Sequence, residues 1–183
     1  IEKVISSTPS WVNTPRRLTR LYRTLKSHII QKPFNLEVLQ KDFSLGCNSI
    51  HYIDILSWLS DSPIQNVCVE SSGNWFDAKR AGYKEFNGLI EAVTKNGSKL
   101  IIKNNCYDKQ NVTMLYQESS KIIIDESSGY FIDNSFIKTG RLEFQSELTK
   151  SLVEKIILSS ESFLPTLRES AEQHKLLLNA ISE

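Results

Sequence analysis

Residues 67–77 read VCVESSGNWFD, and residues 122–133 read IIIDESSGYFID. Each copy runs from an apolar or β-branched triplet through Glu-Ser-Ser-Gly to aromatic residues and an Asp. The tetrads Glu70–Gly73 and Glu126–Gly129 lie 56 residues apart. A strand, a polar glycine turn and a second strand predict a β-hairpin. Two of them at that spacing predict one small module used twice.

Outward from the first copy, Thr14-Pro15 is a helix start, with Thr as N-cap and Pro at the first helical position. Leu18, Leu21, Tyr22, Leu25 and Ile29 then share one face, with Arg16, Arg20 and Arg23 opposite. Lys32-Pro33 ends that helix. The spacing of Leu36, Leu39 and Phe43 predicts a short second helix stopped at Gly46. A third helix is predicted from about residue 48 to Ser60, followed by the hairpin Ile64–Val69 and Trp75-Phe76. Three helices and a hairpin in that order describe a winged helix.

Residues 83–137 repeat the plan less clearly. Tyr83 to Lys95 carries Phe86, Leu89, Ile90 and Val93 at helical spacing, and Asn96-Gly97 is a stop. Leu100-Ile101-Ile102 fits a short strand or part of a helix. Asp108 or Asn111 opens a third helix with Val112, Met114 and Leu115, and the hairpin Ile122–Ile124 with Tyr130–Ile132 closes the unit. The C-terminal stretch reads as two helices. One is marked by Phe144, Leu148, Leu152 and Ile156. The other is a short heptad-like seam of Leu167, Ala171, His174, Leu178 and Ile181. The expected fold class is therefore α+β and mainly helical: two tandem winged helix-turn-helix modules, residues 1–80 and 81–183, with a C-terminal helical extension.

Composition bounds the functions. The 183 residues are 40% hydrophobic and 23% charged, which suits a folded chain. A first residue of Ile rather than Met suggests a piece of a longer protein, and no apolar run approaches a membrane span. The net charge of +1 is unevenly spread. Residues 1–84 hold 11 Lys/Arg against 7 Asp/Glu, and residues 85–183 hold 11 against 14. Cys47, Cys68 and Cys106 form no CxxC pair, which favours reduced thiols.

No catalytic constellation is legible. His28, His51 and His174 are isolated from cysteines and acids at metal-ligand spacing, and His28 and His51 read as helix-surface residues. No phosphate loop, dinucleotide fingerprint or nucleophile elbow appears. The expectation is a non-enzyme without cofactor or metal. Binding residues are then chosen from charge and exposure. Arg16, Arg20 and Arg23 form a basic stripe that opposes the helix dipole. Trp75 and Tyr130 sit at the wing tips, and Lys109 lies in the second candidate recognition helix. The first such helix, residues 48–61, has no Lys or Arg and carries Asp54 and Asp61, which argues against base reading.

A tandem winged-helix pair without a basic recognition helix resembles the C-terminal half of the Stn subunit of the fungal telomere-capping CST complex. That subunit is a relative of the middle subunit of replication protein A. The resemblance rests on Thr14–Phe76, Tyr83–Ile137 and the helical tail. It implies a nuclear protein at chromosome ends, contacting the large single-strand-binding CST subunit and DNA polymerase α–primase, with at most weak nucleic-acid contact. The alternative is a DNA-binding winged-helix protein, either a transcription factor or a replication initiator.

Overall fold

The computed structural model describes residues 9–41, 43–73, 75–104, 112–133 and 135–182. Its centre is a sheet rather than a helical bundle. After a 3-10 turn at Pro15–Leu18 come α1 (Arg20–His28), β1 (Asn35–Leu39) and α2 (Leu45–Leu59). Next are β2 (Ile64–Ser71), the two-residue strands β3 (Phe76–Asp77) and β4 (Lys84–Glu85), β5 (Gly88–Thr94) and β6 (Lys99–Lys103). Then follow β7 (Val112–Gln117), β8 (Ser120–Asp125), β9 (Gly129–Ile132) and β10 (Ser135–Lys138), with α3 (Gln145–Ser159) and α4 (Leu167–Ser182) at the end. Eight strands form one sheet in the order β10-β9-β8-β7-β1-β6-β5-β2, and β3 and β4 make a separate ribbon.

The winged-helix reading is overturned by this sheet, which takes strands from both sides of residue 80. The error starts at β1. Leu36, Leu39 and Phe43 fit a helical spacing, but the buried pair is Leu36 and Val38, at strand spacing. The segment Asn-Leu-Glu-Val-Leu alternates, and it lies between β6 (parallel) and β7 (antiparallel). Residues 83–95 err the same way. Ile90 and Ala92 are buried alternately, and the stretch is strand β5. Val112, Met114 and Leu115, read as a recognition helix, lie in β7, while Asp108, Lys109 and Asn111 fall outside the described residues.

The two ESSG segments also part company. In the second, Asp125 Oδ1 accepts from the Ser127 backbone N–H (2.9 Å) and hydroxyl (2.6 Å), and its other oxygen accepts from Ser128. These bonds, that to the Ser127 hydroxyl first, hold the Asp125 carboxyl below its usual pKa. The result is the predicted hairpin, β8 to β9. The first copy has Val69 where the second has Asp125. Without that acceptor, β2 runs on through Glu70 and Ser71 and pairs with β5.

At Gly129 of the hairpin, φ is +155° and an added Cβ would meet the Ile137 carbonyl oxygen at 2.1 Å. Gly129→Ala is therefore expected to cost about 1–3 kcal/mol, measured as a lowered urea midpoint with an unchanged slope.

One sheet face carries the core. Leu36, Val38, Leu100, Ile102, Ile90, Ala92, Leu115, Ile122, Ile124 and Tyr130 are buried with Tyr52, Ile53, Leu56, Leu21 and Leu25 of the helices. α2 lies over β5 and β6, α1 reaches β9, and α4 packs on β2 and α2. α2 is apolar on most of its surface and is correspondingly buried. The predicted C-terminal helices are present, but α4 is rotated from its predicted seam. It buries Ser170, Gln173 and Leu177 and leaves Leu178 exposed.

Candidate active site

Helix α2 positions the polar groups that the sheet cannot supply. Its first amides, on Gly46 and Cys47, donate to the two carboxylate oxygens of Glu85 at 2.8 and 3.1 Å. An anion there satisfies orphan donors and complements the helix dipole. One turn on from Cys47, on the same face, stands His51. The next residue, Tyr52, donates its hydroxyl to Glu126 at 3.3 Å. Asp54, with no solvent exposure, receives Nε of Arg17 at 2.7 Å, a second guanidinium bond, and the Thr14 hydroxyl at 2.9 Å. Burial pushes the Asp54 pKa up, against the pull of Arg17.

Glu126 gathers a second cluster. The serine turn that follows Asp125 places its Oε1 to accept from Tyr22 (2.7 Å), Arg16 Nε (3.1 Å) and Tyr52 (3.3 Å). The Arg16 guanidinium also lies 4.4 Å from the centre of the Tyr52 ring. Burial, and then the Glu126 charge, raise the Tyr22 pKa, so that phenol is a hydrogen-bond donor at neutral pH.

His51 is half-buried beside this network, and its Nδ1 is enclosed without a hydrogen-bond partner. Burial lowers its pKa, and the charges of Arg16 and then His174 lower it further. The ring is held neutral at neutral pH, so one of its two nitrogens carries a lone pair. The sequence marks it as a helix-surface residue. Its lowered pKa comes from burial first and then from Arg16 and His174, which lie in distant segments. A cleft of about 310 Å³ lies toward the far end of α2, lined by Arg17, Trp58, Asp61, Glu172 and Gln173 among others, and does not include His51.

The residues chosen from charge and exposure do not converge. Arg16 is half-buried and engaged by Glu126. Arg20 and Arg23 are exposed on α1 beside Glu143, and Arg23 lies 5.3 Å from the centre of the Phe163 ring. Tyr130 is fully buried, with its hydroxyl 3.0 Å from His28 Nδ1. Trp75 is 46% exposed and leans on Phe86. Lys109 falls outside the described residues. Among the described residues no group of three or more His, Cys, Asp or Glu could hold a metal ion, and no helix is long and apolar enough to cross a membrane.

No protein-family profile and no curated protein matches the chain. Its fold, in contrast, recurs in solved dehydrogenase and oxidoreductase structures. A putative dehydrogenase from Bordetella bronchiseptica RB50 is similar over 94% of this chain and 66% of that one, at 13% identity and a TM-score of 0.71. The WlbA dehydrogenase from Bordetella pertussis, in complex with NADH and UDP-GlcNAcA, is similar over 94% and 60%, at 14% identity and a TM-score of 0.61. The myo-inositol dehydrogenase from Lactobacillus casei, in complex with NAD(H) and myo-inositol, is similar over 100% and 62%, at 14% identity and a TM-score of 0.59. The chain thus spans between three fifths and two thirds of the length of these three structures. The likeness defines the class of fold, a dehydrogenase-type mixed sheet with flanking helices.

That fold overturns the telomere reading. The Stn resemblance, the DNA-binding alternative and the CST and polymerase α–primase partners all rested on winged helices, which the described residues do not form. The expectation of a non-enzyme falls with them, because the matching folds are those of enzymes.

A nicotinamide dinucleotide is the cofactor such folds imply, and the described residues do not fit its pyrophosphate. Dinucleotides sit at the edge of a parallel sheet with the pyrophosphate on a helix N-terminus. Here six of the seven strand pairings in the sheet are antiparallel and only β1–β6 is parallel. All four helix starts are already met by carboxylates. Glu143 takes the Arg20 amide, Glu85 those of Gly46 and Cys47, Glu147 that of Phe144, and Glu169 that of Thr166. A phosphate would have to displace one of them.

Proposed function

We propose that the chain is the substrate-facing part of an oxidoreductase acting on a secondary alcohol of a sugar or cyclitol, with His51 accepting the hydroxyl proton. The observation that carries this is the His51 ring itself: half-buried, neutral, unpartnered at Nδ1 and one helical turn from an exposed thiol. Oxidation of an alcohol to a ketone requires the hydroxyl proton to leave as the carbinol C–H bond breaks. A neutral imidazole can take that proton, and an imidazolium cannot. The NADH–UDP-GlcNAcA and NAD(H)–myo-inositol complexes of two structures of similar fold support hydroxylated ring substrates. These residues supply a proton acceptor and no cradle for the hydride acceptor.

An NMR titration of the His51 imidazole in the full chain tests the reading. Its pKa is expected below the usual value of about 6.5. Its ring signals are expected to move on addition of myo-inositol or UDP-N-acetylglucosamine. A ring that titrates normally and ignores both compounds would sink the proposal.

The same shift has a consequence for stability. The folded pKa lies below the unfolded one, so the unfolded chain binds more protons between the two values. The contribution is complete above the unfolded pKa and is lost as pH falls through the folded one. His51→Gln is therefore expected to flatten the decline in urea midpoint on the acid side of about pH 6.5, measured against the unsubstituted chain.

A further inference from the structure

The ribbon β3–β4 lies outside the eight-stranded sheet, tied to the start of α2 through Glu85. It presents Trp75, Phe76 and Tyr83 to solvent, each between 44 and 47% exposed. Buried aromatic residues need no explanation, but three exposed rings on a short, pinned hairpin do. Trp75 is steadied from below by the buried Phe86, at 4.9 Å between ring centres. Lys84 is spent on Asp77 at 2.7 Å. Lys79 and Arg80 are exposed and paired with no carboxylate among the described residues. The Arg80 guanidinium lies 4.7 Å over the Tyr83 ring. Aromatic faces with adjacent unpaired cations suit a ligand that has both a flat ring and a multiply charged anion.

The ribbon is also fixed in place. Glu85 at its end makes the two bonds to the α2 amides. The hydrogen bond from Cys47 to Glu85 and burial raise the Cys47 thiol pKa, and Arg80 is close enough to oppose that rise. Glu85 thus anchors the ribbon at the first turn of α2, and His51 follows Cys47 one turn along that helix.

We propose that the ribbon, residues 75–86, recognises a nucleoside diphosphate. Its base stacks on Trp75 or Tyr83, and its phosphates meet Lys79 and Arg80. The attached sugar is directed toward Cys47 and His51. This rests on the alcohol-oxidising reading of His51 and narrows its substrate class to nucleotide-linked sugars.

The test is fluorescence titration of the full chain with UDP, with Trp75→Phe identifying the contribution of Trp75. UDP is expected to quench Trp75, and Arg80→Gln is expected to weaken binding by about tenfold or more. Inorganic pyrophosphate, which lacks the base, is expected to compete much more weakly than UDP. The proposal is overturned by an absence of UDP binding, by equal binding to Arg80→Gln, or by competition from pyrophosphate as effective as that from UDP itself. The two proposals fail separately. UDP binding that needs Arg80 while the His51 ring stays silent upholds the ribbon and removes the proton acceptor. A His51 ring that responds to myo-inositol while UDP ignores Arg80 does the reverse.

Discussion

Arg17→Met is expected to destabilise the fold by about 3–5 kcal/mol, the largest stability effect of any single change considered. The substitution leaves the Asp54 carboxylate with no solvent exposure and only Thr14 as a side-chain partner. A buried charge without its counter-charge loses the Coulomb attraction and keeps the desolvation cost. Charging is then so unfavourable that Asp54 takes up a proton, and stability comes to depend on pH through the range in which it does so. Urea unfolding of Arg17→Met, of Asp54→Leu and of the double variant separates the contributions. The double variant removes both charges, and apolar replacement of a buried pair is often close to neutral. It is therefore expected to be markedly more stable than either single variant. Additive losses in the double variant would show that the pair is weakly coupled and that the site matters for packing alone.

On the reading of His51 as proton acceptor, His51→Gln is expected to lower kcat by about 10²–10⁴-fold when introduced into the protein as it occurs, with a smaller change in KM. Glutamine keeps the bulk and a hydrogen-bonding end but has no basic lone pair. A lost proton acceptor lowers kcat, whereas a lost binding contact raises KM. The pH profile adds a readout that a structural role would not move. On that reading, kcat/KM of the unsubstituted protein is expected to fall on the acid side as the imidazole protonates, with a midpoint below the usual histidine range. In His51→Gln that limb is expected to vanish with the activity. Full turnover by the variant would remove His51 from the chemistry.

The parts of the fold that were legible in the sequence were those with local causes. Thr14-Pro15 does open a helical segment, although Thr19, extended at φ −70° and ψ 146°, divides it into a 3-10 turn and α1. Leu21, Tyr22 and Leu25 are buried as their spacing indicates, and the D-E-S-S-G hairpin forms where predicted. Five-residue β1 was misread because its apolar residues fit both spacings: Leu36 and Leu39 stand three apart, as on a helix, and Leu36 and Val38 two apart, as on a strand. Only the long-range pairing with β6 and β7 decides between them. The same ambiguity affected Phe86–Val93. The site was less legible still. Asp54 read as a deterrent to DNA, yet it is the buried partner of Arg17, 37 residues away in sequence. Glu126 read as part of a turn, yet it binds Arg16 and Tyr22 from more than 100 residues upstream. Such pairings leave no periodic trace in either segment.

The place of β1 at the centre of the sheet has a consequence for how the protein comes to exist. The strand ends at Leu39, but its two neighbours are not complete until Lys103 and Gln117. At about 5–20 residues per second, a ribosome takes roughly 4–16 s to extend the chain from the end of β1 to the end of β7. Until Lys103 is made, β1, with its core residues Leu36 and Val38, has both edges unpaired, and its β7 edge stays open until Gln117. The nascent chain is then most open to wrong strand partners, its own or those of a neighbouring copy. A chaperone that shields the first sixty or so residues would be most useful during those seconds.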